Sequence, residues 1–210
     1  MQNKTIMIAL GGNSLSPKGS AGSVTEQFSL ARKTMNNLSE FIDLNYNICI
    51  THGNGPQVGD ELLRMDLTSD TIPPLPLGIC VANTQGQIGY MVQQTLQNEL
   101  REKSVDREVV TLVTQVIVDK NDQSINNPTK FIGPRYTKTE IDKFAAKLGW
   151  SIKEQEPGSW RRVVPSPMPE FIMHGKSIKA LVDRGTIVIA FGGGGIPVFN
   201  NKDNKIEGLD

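Results

Sequence analysis

Short apolar runs alternate with amphipathic stretches over the first half of the chain. Thr5–Leu10 is continuous enough in apolar residues to read as a fully buried strand, and Asn47–Thr51 as a second strand. Between them Phe28, Ala31, Met35, Leu38 and Ile42 recur at three- and four-residue steps, which predicts one helix from about Thr25. Val58, Leu62 and Met65 mark a helix over 57–67, and Ile88, Val92, Leu96 and Leu100 mark another. The three prolines within Ile72–Leu77 require an extended connection between these helices. Glu108–Val118 reads as one long β-branched strand. Strands alternating with helices in this order predict a doubly wound α/β layer structure.

The pattern lapses at about residue 119. Residues 119–170 are polar, lysine-rich and punctuated by proline, with a small helix announced by Thr137 and by Glu140 three positions on. That is too long for an ordinary connection, so a small protruding subdomain is expected. Ser177–Arg184 then resumes as helix, Gly185 caps it, and Thr186–Phe191 is the last clear strand.

Three of the strands run straight into glycine-rich turns: Gly11-Gly12-Asn13, the His52–Gly59 stretch HGNGPQVG, and Gly192–Gly195. A missing side chain lets backbone approach closely, and successive free N–H groups can converge on an anion. Ligands of open parallel sheets bind beyond the carboxyl ends of the strands, where these turns fall. Together they point to a site for phosphate or carboxylate groups. Alone, Gly11-Gly12-Asn13 is equally a tight turn. Asn54 between two glycines, followed by a helix start, favours anion binding more specifically.

Composition narrows the chemistry. Lys+Arg (22) and Asp+Glu (22) cancel, and no basic stripe is visible, which argues against a nucleic-acid partner. No apolar run reaches the length of a membrane helix, and the first strand is too short for a signal peptide. Cys49 and Cys80 lack metal-type spacing and read as buried thiols of a cytoplasmic protein. His52 and His174 also lack ligand spacing, so no protein-bound metal is expected, and no nucleophile elbow, Walker A loop or dinucleotide fingerprint occurs. What remains is chemistry done by positioning and charge neutralisation. Lys130, on a proline-fixed loop, is either a mobile point charge for such a site or a solvated surface lysine. Trp160-Arg161-Arg162 is either a cationic patch or an edge strand ended by Pro165, and exposed edges commonly carry arginines, which favours the strand. The small residues of Thr84–Tyr90 permit close helix packing, within the chain or between subunits.

In order along the chain stand IALGGNSL, THGNGPQVG, CVANTQGQIGY, VTQVIVDKND, NPTKFIGP, WRRVVPSP, IKALVDRG and GGGGIPV. Together these segments closely resemble the carbamate kinases of the amino acid kinase superfamily. The resemblance implies a three-layer αβα sandwich with a mainly parallel open sheet and a protruding subdomain. It also implies a homodimer and reversible phosphoryl transfer between carbamoyl phosphate and ADP, giving ATP and carbamate with Mg²⁺. Gly11, Gly12, Asn13, Gly53, Asn54 and Gly55 would surround the substrate and the transferred group, with Gln57 counted among them. Gly193, Gly194 and Gly195 would lie beside the phosphate path. Lys130 would be the catalytic cation, reaching over from the protruding subdomain.

The chain departs from the family pattern in three places. Pro157-Gly158-Ser159 stands where a Gly-Arg-Gly run is common, and Phe131 and Arg135 replace the usual proline and aromatic. The sequence stops at Asp210, before the family's nucleotide-binding C-terminal part with its second lysine. Two further readings stand beside an active kinase: a non-catalytic, carbamoyl-phosphate-binding or dimerising remnant, and a kinase of a larger acidic amino acid. The NPTK and WRRVVPSP segments suit the carbamate branch better than the last. Phosphoryl transfer needs charge stabilisation on both attacking and leaving sides. The 210-residue chain alone is therefore expected to make no appreciable ATP from carbamoyl phosphate and ADP. A hexokinase-coupled assay checks this, and turnover comparable to a longer relative's would overturn it.

Overall fold

Side-chain alternation along two parallel strands decides the architecture of the first half. A computed structural model describes residues 4–11, 14–17 and 22–209. In chain order they form β1 (Thr5–Leu10), α1 (Val24–Asn36), α2 (Ser39–Asp43), β2 (Asn47–His52), α3 (Gly55–Thr68) and α4 (Leu77–Glu102). Then follow β3 (Val109–Thr111), β4 (Gln115–Val118), α5 (Gln123–Asn126), β5 (Lys130–Tyr136), α6 (Lys138–Leu148), β6 (Ile152–Glu156) and β7 (Ser159–Val164). The last elements are β8 (Pro169–Ile172), α7 (Gly175–Asp183), β9 (Ile187–Ile189), a 3₁₀ turn at Gly192–Gly194, β10 (Ile196–Asn200) and β11 (Ile206–Gly208). The elements fall into two compact units. One comprises Met1–Asn54, Ala82–Gln115 and Met173–Gly195, the other Gly55–Val81, Val116–Ile172 and Ile196–Asp210.

The first unit is an α/β structure on an all-parallel sheet of order β1-β2-β9-β3. Successive residues of a strand face opposite sides. Ile48, Ile50, Ile187 and Ile189 therefore enter a core with α1, α2 and α4, where Ala31, Met35, Ile88 and Leu96 are buried. Cys49, Val188 and Ala190 turn the other way and pack on Ile178 and Val182 of α7. Each such side chain contributes roughly 2 kcal/mol by leaving water, so the continuous apolar runs require a helix layer on both faces.

The second unit holds two smaller sheets. One has the order β11-β10-β4-β8, with antiparallel β10–β11 and β4–β8 pairs. The other is an antiparallel sheet of order β5-β7-β6. Against the latter lies α3, whose Val58 and Leu62 share a core with Cys80, Ile132 and Val164. Their crossing has no room for a side chain: a Cβ on Gly59 would stand 2.0 Å from Gly133 Cα and N. Gly133 itself has φ 68°, at a register shift in β5. Beside it Trp150 stacks on Phe144 at 5.1 Å, and Tyr136 completes the cluster at 5.3 Å from Phe144. The expected cap of α6 is present: Glu140 N–H donates to Thr137 Oγ1 (3.3 Å) and Thr137 N–H to Glu140 Oε2 (2.8 Å).

Several expectations need correction. β1 is an edge strand rather than a fully buried one, and Met7 is 65% exposed. The helix expected to run from Thr25 past Ile42 breaks at Asn37–Leu38. The single strand expected over 108–118 is two strands in two sheets, parted at Leu112–Thr114. α3 begins at Gly55, inside the glycine turn rather than after it. β7, with Trp160-Arg161-Arg162, is the middle strand of its sheet and not an edge, because both neighbours pair with it. The arginines lie across its partners, Arg161 Nη2 donating to Gly133 O at 2.7 Å. Gly89 lies close to β3, where a Cβ would meet Thr111 Cγ2 at 2.2 Å, so that small residue serves packing within the chain.

Two glycines in helices should respond oppositely to alanine. Gly59→Ala collides with backbone and should cost about 3 kcal/mol, the upper range for overpacking. Gly86, in α4, has nothing within 4 Å of a Cβ, so Gly86→Ala should stabilise by roughly 0.5–1 kcal/mol through helix propensity. Urea unfolding of both variants reads the contrast.

Candidate functional site

The three glycine turns leave the same end of the first unit's sheet. β1, β2 and β9 are consecutive parallel neighbours, so their carboxyl ends lie side by side. Gly53 N–H donates to Leu10 O at 2.9 Å, and Thr51 Oγ1 donates to Phe191 O at 3.3 Å. These bonds tie the turn after β2 to both others. Gly11 opens the first turn, its carbonyl accepting from Ser14 N–H at 2.9 Å. Gly12 and Asn13 lie outside the described residues.

Behind these turns sits a buried polar cluster. Gln85 Nε2 donates to Gly192 O (2.9 Å) and Thr114 O (3.3 Å), and its Oε1 accepts from Thr114 N–H (2.8 Å). Thr114 Oγ1 donates to Leu112 O at 3.0 Å and accepts from Phe191 N–H at 3.3 Å. Asn54 is buried, and its Nδ2 donates to Thr84 Oγ1 at 3.0 Å. The last turn needs its glycines because these side chains press against it. A Cβ on Gly192 would meet His52 Cε1 at 2.5 Å, and one on Gly193 would meet Asn54 Nδ2 at 2.4 Å. Gly193, Gly194 and Gly195 have φ of 66°, 93° and 91°, a region L side chains avoid. Around Gly194 nothing lies within 4 Å of a Cβ, so here the backbone is open to a ligand.

The His52 ring is 4% exposed and its Nδ1 donates to Gly53 O at 3.1 Å. Burial lowers its pKa below the ordinary 6.5, against the opposing effect of that hydrogen bond. The ring is therefore neutral at pH 7 and acts as a wall, not a charge.

Gly55 and Gln57 belong to the second unit, in the first turn of α3, where backbone N–H groups lack intrahelical partners. A Cβ on Gly55 would lie 3.6 Å from Phe131 O, so the start of α3 runs beside the start of β5. Lys130 heads that strand opposite Val164. It is half-buried rather than solvated, and desolvation lowers its pKa from 10.5. Lysines with desolvated amines are candidates for functional sites.

Reading the sequence for single motifs missed His52, Thr84, Gln85 and Thr114 as parts of one cluster. A signal existed. Stepping back from Ile88 by three and four residues along the apolar stripe of α4 reaches Gln85 and Thr84, polar residues on a face that should be buried.

The protein-family model described as the amino acid kinase family matches residues 4–204. The carbamate kinase of Pyrococcus furiosus is 48% identical over 209 residues, 99% of this chain and 66% of that protein. Among solved structures, carbamate kinase from Giardia lamblia bound to citric acid superposes with a TM-score of 0.95 at 36% identity, covering 99% of this chain and 67% of that one. The same enzyme bound to AMP-PNP gives 0.84 at 36% identity, covering 99% and 66%. The chain thus spans about two thirds of the length of the curated relatives it matches.

The depressed His52 pKa makes a signed prediction. The unfolded chain binds this proton more readily, so stability should decline as pH falls through about 6.5 towards the lower folded value. His52→Asn, which keeps a donor near the Gly53 carbonyl, should flatten that part of the profile. Denaturant midpoints from pH 8 to 5 decide it, and parallel profiles would exclude His52 as the source.

Proposed function

Because the chain belongs to the amino acid kinase family, we propose that the protein works as a carbamate kinase, transferring a phosphoryl group between carbamoyl phosphate and ADP. The observation that carries this reading is the row of three glycine turns along the carboxyl edge of one parallel sheet. The names of its relatives support it.

In the synthetic direction a carbamoyl-phosphate phosphoryl passes to the ADP β-phosphate oxygen, and carbamate leaves as an anion. In reverse, the carbamate oxygen attacks the ATP γ-phosphorus and ADP leaves. Carbamate carries its own negative charge, so neither direction requires a protein base. The demands are in-line alignment and positive potential around crowded oxygens. In this reading the side-chain-free backbone at Gly11, Gly12, Gly53 and Gly193–Gly195 lets the transferred group approach closely, the Gly53, Gly194 and Gly195 N–H groups holding the turns themselves through Leu10 O, Phe191 O and Gly192 O, and Asn13 supplies a side-chain amide. The buried Asn54 shapes the Gly193 turn, Gly55 and Gln57 contribute the positive end of α3, and Lys130 supplies the full charge.

Among the described residues no three His, Cys, Asp or Glu side chains converge. That donor set suits an Mg²⁺ carried in on the phosphates of ADP or ATP rather than one held by a protein cage. When bound it would neutralise phosphate oxygens. The free, buried Cys49 and Cys80 are in keeping with a cytoplasmic protein. Among the described residues no helix is long and apolar enough to cross a membrane. Exposed Leu67, Ile72 and Ile79, at the end of α3 and the start of α4, support a homodimer, which sedimentation of the sample below would reveal.

Titration calorimetry tests the reading. Carbamoyl phosphate should bind, with phosphate and sulfate weaker. Lys130→Met should lower affinity at least about tenfold while leaving the melting temperature nearly unchanged, since the charge lost was partly desolvated. Wild-type affinity should fall as pH rises through the lowered Lys130 pKa, because the amine then loses its proton. Absence of heat from a folded sample, or equal affinity in Lys130→Met, would overturn the reading.

A further inference from the structure

Gln85 is 1% exposed, on the helix that also buries Ile88, Val92 and Leu96. A carboxamide buried there destabilises the fold unless its donors and its acceptor are met. They are met by backbone from two separate segments. Nε2 donates to Gly192 O and Thr114 O, and Oε1 accepts from Thr114 N–H. That pattern fixes which end of the amide is the oxygen. It asks for a donor and an acceptor side by side on one planar group, which a carboxylate or an apolar side chain does not offer.

Through these bonds Gln85 acts on both residues that open the last glycine turn. It holds Gly192 directly, and a Cβ on that glycine would stand 2.8 Å from Gln85 Cγ. It holds Phe191 through Thr114, whose Oγ1 accepts from the Phe191 N–H. Phe191 has φ 60°, and a bulky residue keeps such backbone only where its surroundings over-determine it. Beyond it lies the open backbone at Gly194. Four successive glycines have many other conformations to adopt once a clamp is removed.

We infer, on the reading that these glycine turns face an anion, that Gln85 is a positioning residue: its carboxamide holds Gly192–Gly195 in the conformation that admits an oxyanion, without touching the anion. A ligand that needs one conformation of a turn binds more weakly in proportion as that conformation is less populated. A clamp already in place therefore raises affinity with no contact of its own. A merely structural Gln85, when replaced, would lower the melting temperature and leave the affinity of the folded protein as it was.

Sulfate serves as the probe, because it stays a dianion throughout the range in which a glutamate and a histidine titrate. Calorimetric affinities are taken well below the melting temperature, each relative to wild type at the same pH, which removes the titration of Lys130 and His52. Gln85→Met should bind at least about tenfold more weakly although folded, as it would with the competent turn about a tenth populated. Gln85→Glu carries its own control. Ionised, it sets an oxygen against Gly192 O and Thr114 O; protonated, it donates to them again, and burial raises its pKa. At about pH 8 it should match Gln85→Met, and at about pH 5 it should regain most of the lost factor. The recovery should persist in a His52→Asn background, which removes the titratable ring abutting the same glycine. Should Gln85→Met fail to fold, Gln85→Glu prepared at the acid end and followed upward in pH decides the matter. Absence of sulfate binding by wild type would refute the anion-facing reading itself. Wild-type binding with undiminished affinity in folded Gln85→Met, or a Gln85→Glu ratio that does not change with pH, would overturn the role of Gln85 alone.

Discussion

One buried carboxamide governs the shape of the carboxyl edge of the first unit's sheet. Gln85 enters from α4 and bonds to the backbone of two chain segments that both depart from regular strand geometry, Thr114 after β3 and Gly192 after β9. Each of these polar groups lies where water does not reach, so replacing the carboxamide would strand the Thr114 N–H and carbonyl at roughly 1–3 kcal/mol apiece, while Gly192 O would keep the Gly195 N–H. The bonds also explain how Phe191 tolerates φ 60°, an unusual conformation for a bulky residue. Its N–H is held by Thr114 Oγ1 and its carbonyl by Thr51 Oγ1 and the Gly194 N–H. The glycine turn is thus clamped from behind by neutral hydrogen bonds, leaving its outer side open.

On the proposed reading, this arrangement would separate two duties that phosphate sites often combine. Shape is held by neutral groups: Asn54 on Thr84, Gln85 on Thr114, and an uncharged His52 against Gly192. Full charge stands elsewhere in the sequence, on Lys130 at the head of β5. The zero formal net charge of the chain fits a protein whose positive potential is local rather than spread over its surface.

Much of this was legible in the sequence because hydrophobic periodicity and turn chemistry are local signals. Strand-to-glycine junctions, the Thr137–Glu140 cap and the apolar stripe of α4 fall where the residues indicated. What escaped was decided by partners distant in sequence. Glu108–Val118 has the composition of one strand, and only the Gln85 carboxamide, 29 positions before Thr114, explains why it divides. Arg161 and Arg162 resembled an exposed edge because their acceptors, Gly133 O and Asp66, lie 28 and 96 positions away. Lys130 looked like a surface lysine for the same reason, since β5 takes its place in the sheet only by pairing with β7, later in the chain. The interplay of Asn54 and Gly193 could not be read from either glycine run alone, as it depends on two turns meeting over one sheet edge.

The contact of Gly59 with Gly133 has a mechanical consequence. Two backbones at that separation interlock, with no side chain between them to change rotamer and act as a bearing. Sliding of α3 along β5 would drive the neighbours of either glycine into the opposing main chain. The helix and the strand are thus held in one register at this crossing. Lys130 at the head of β5 and the first turn of α3 therefore belong to one interlocked pair of elements.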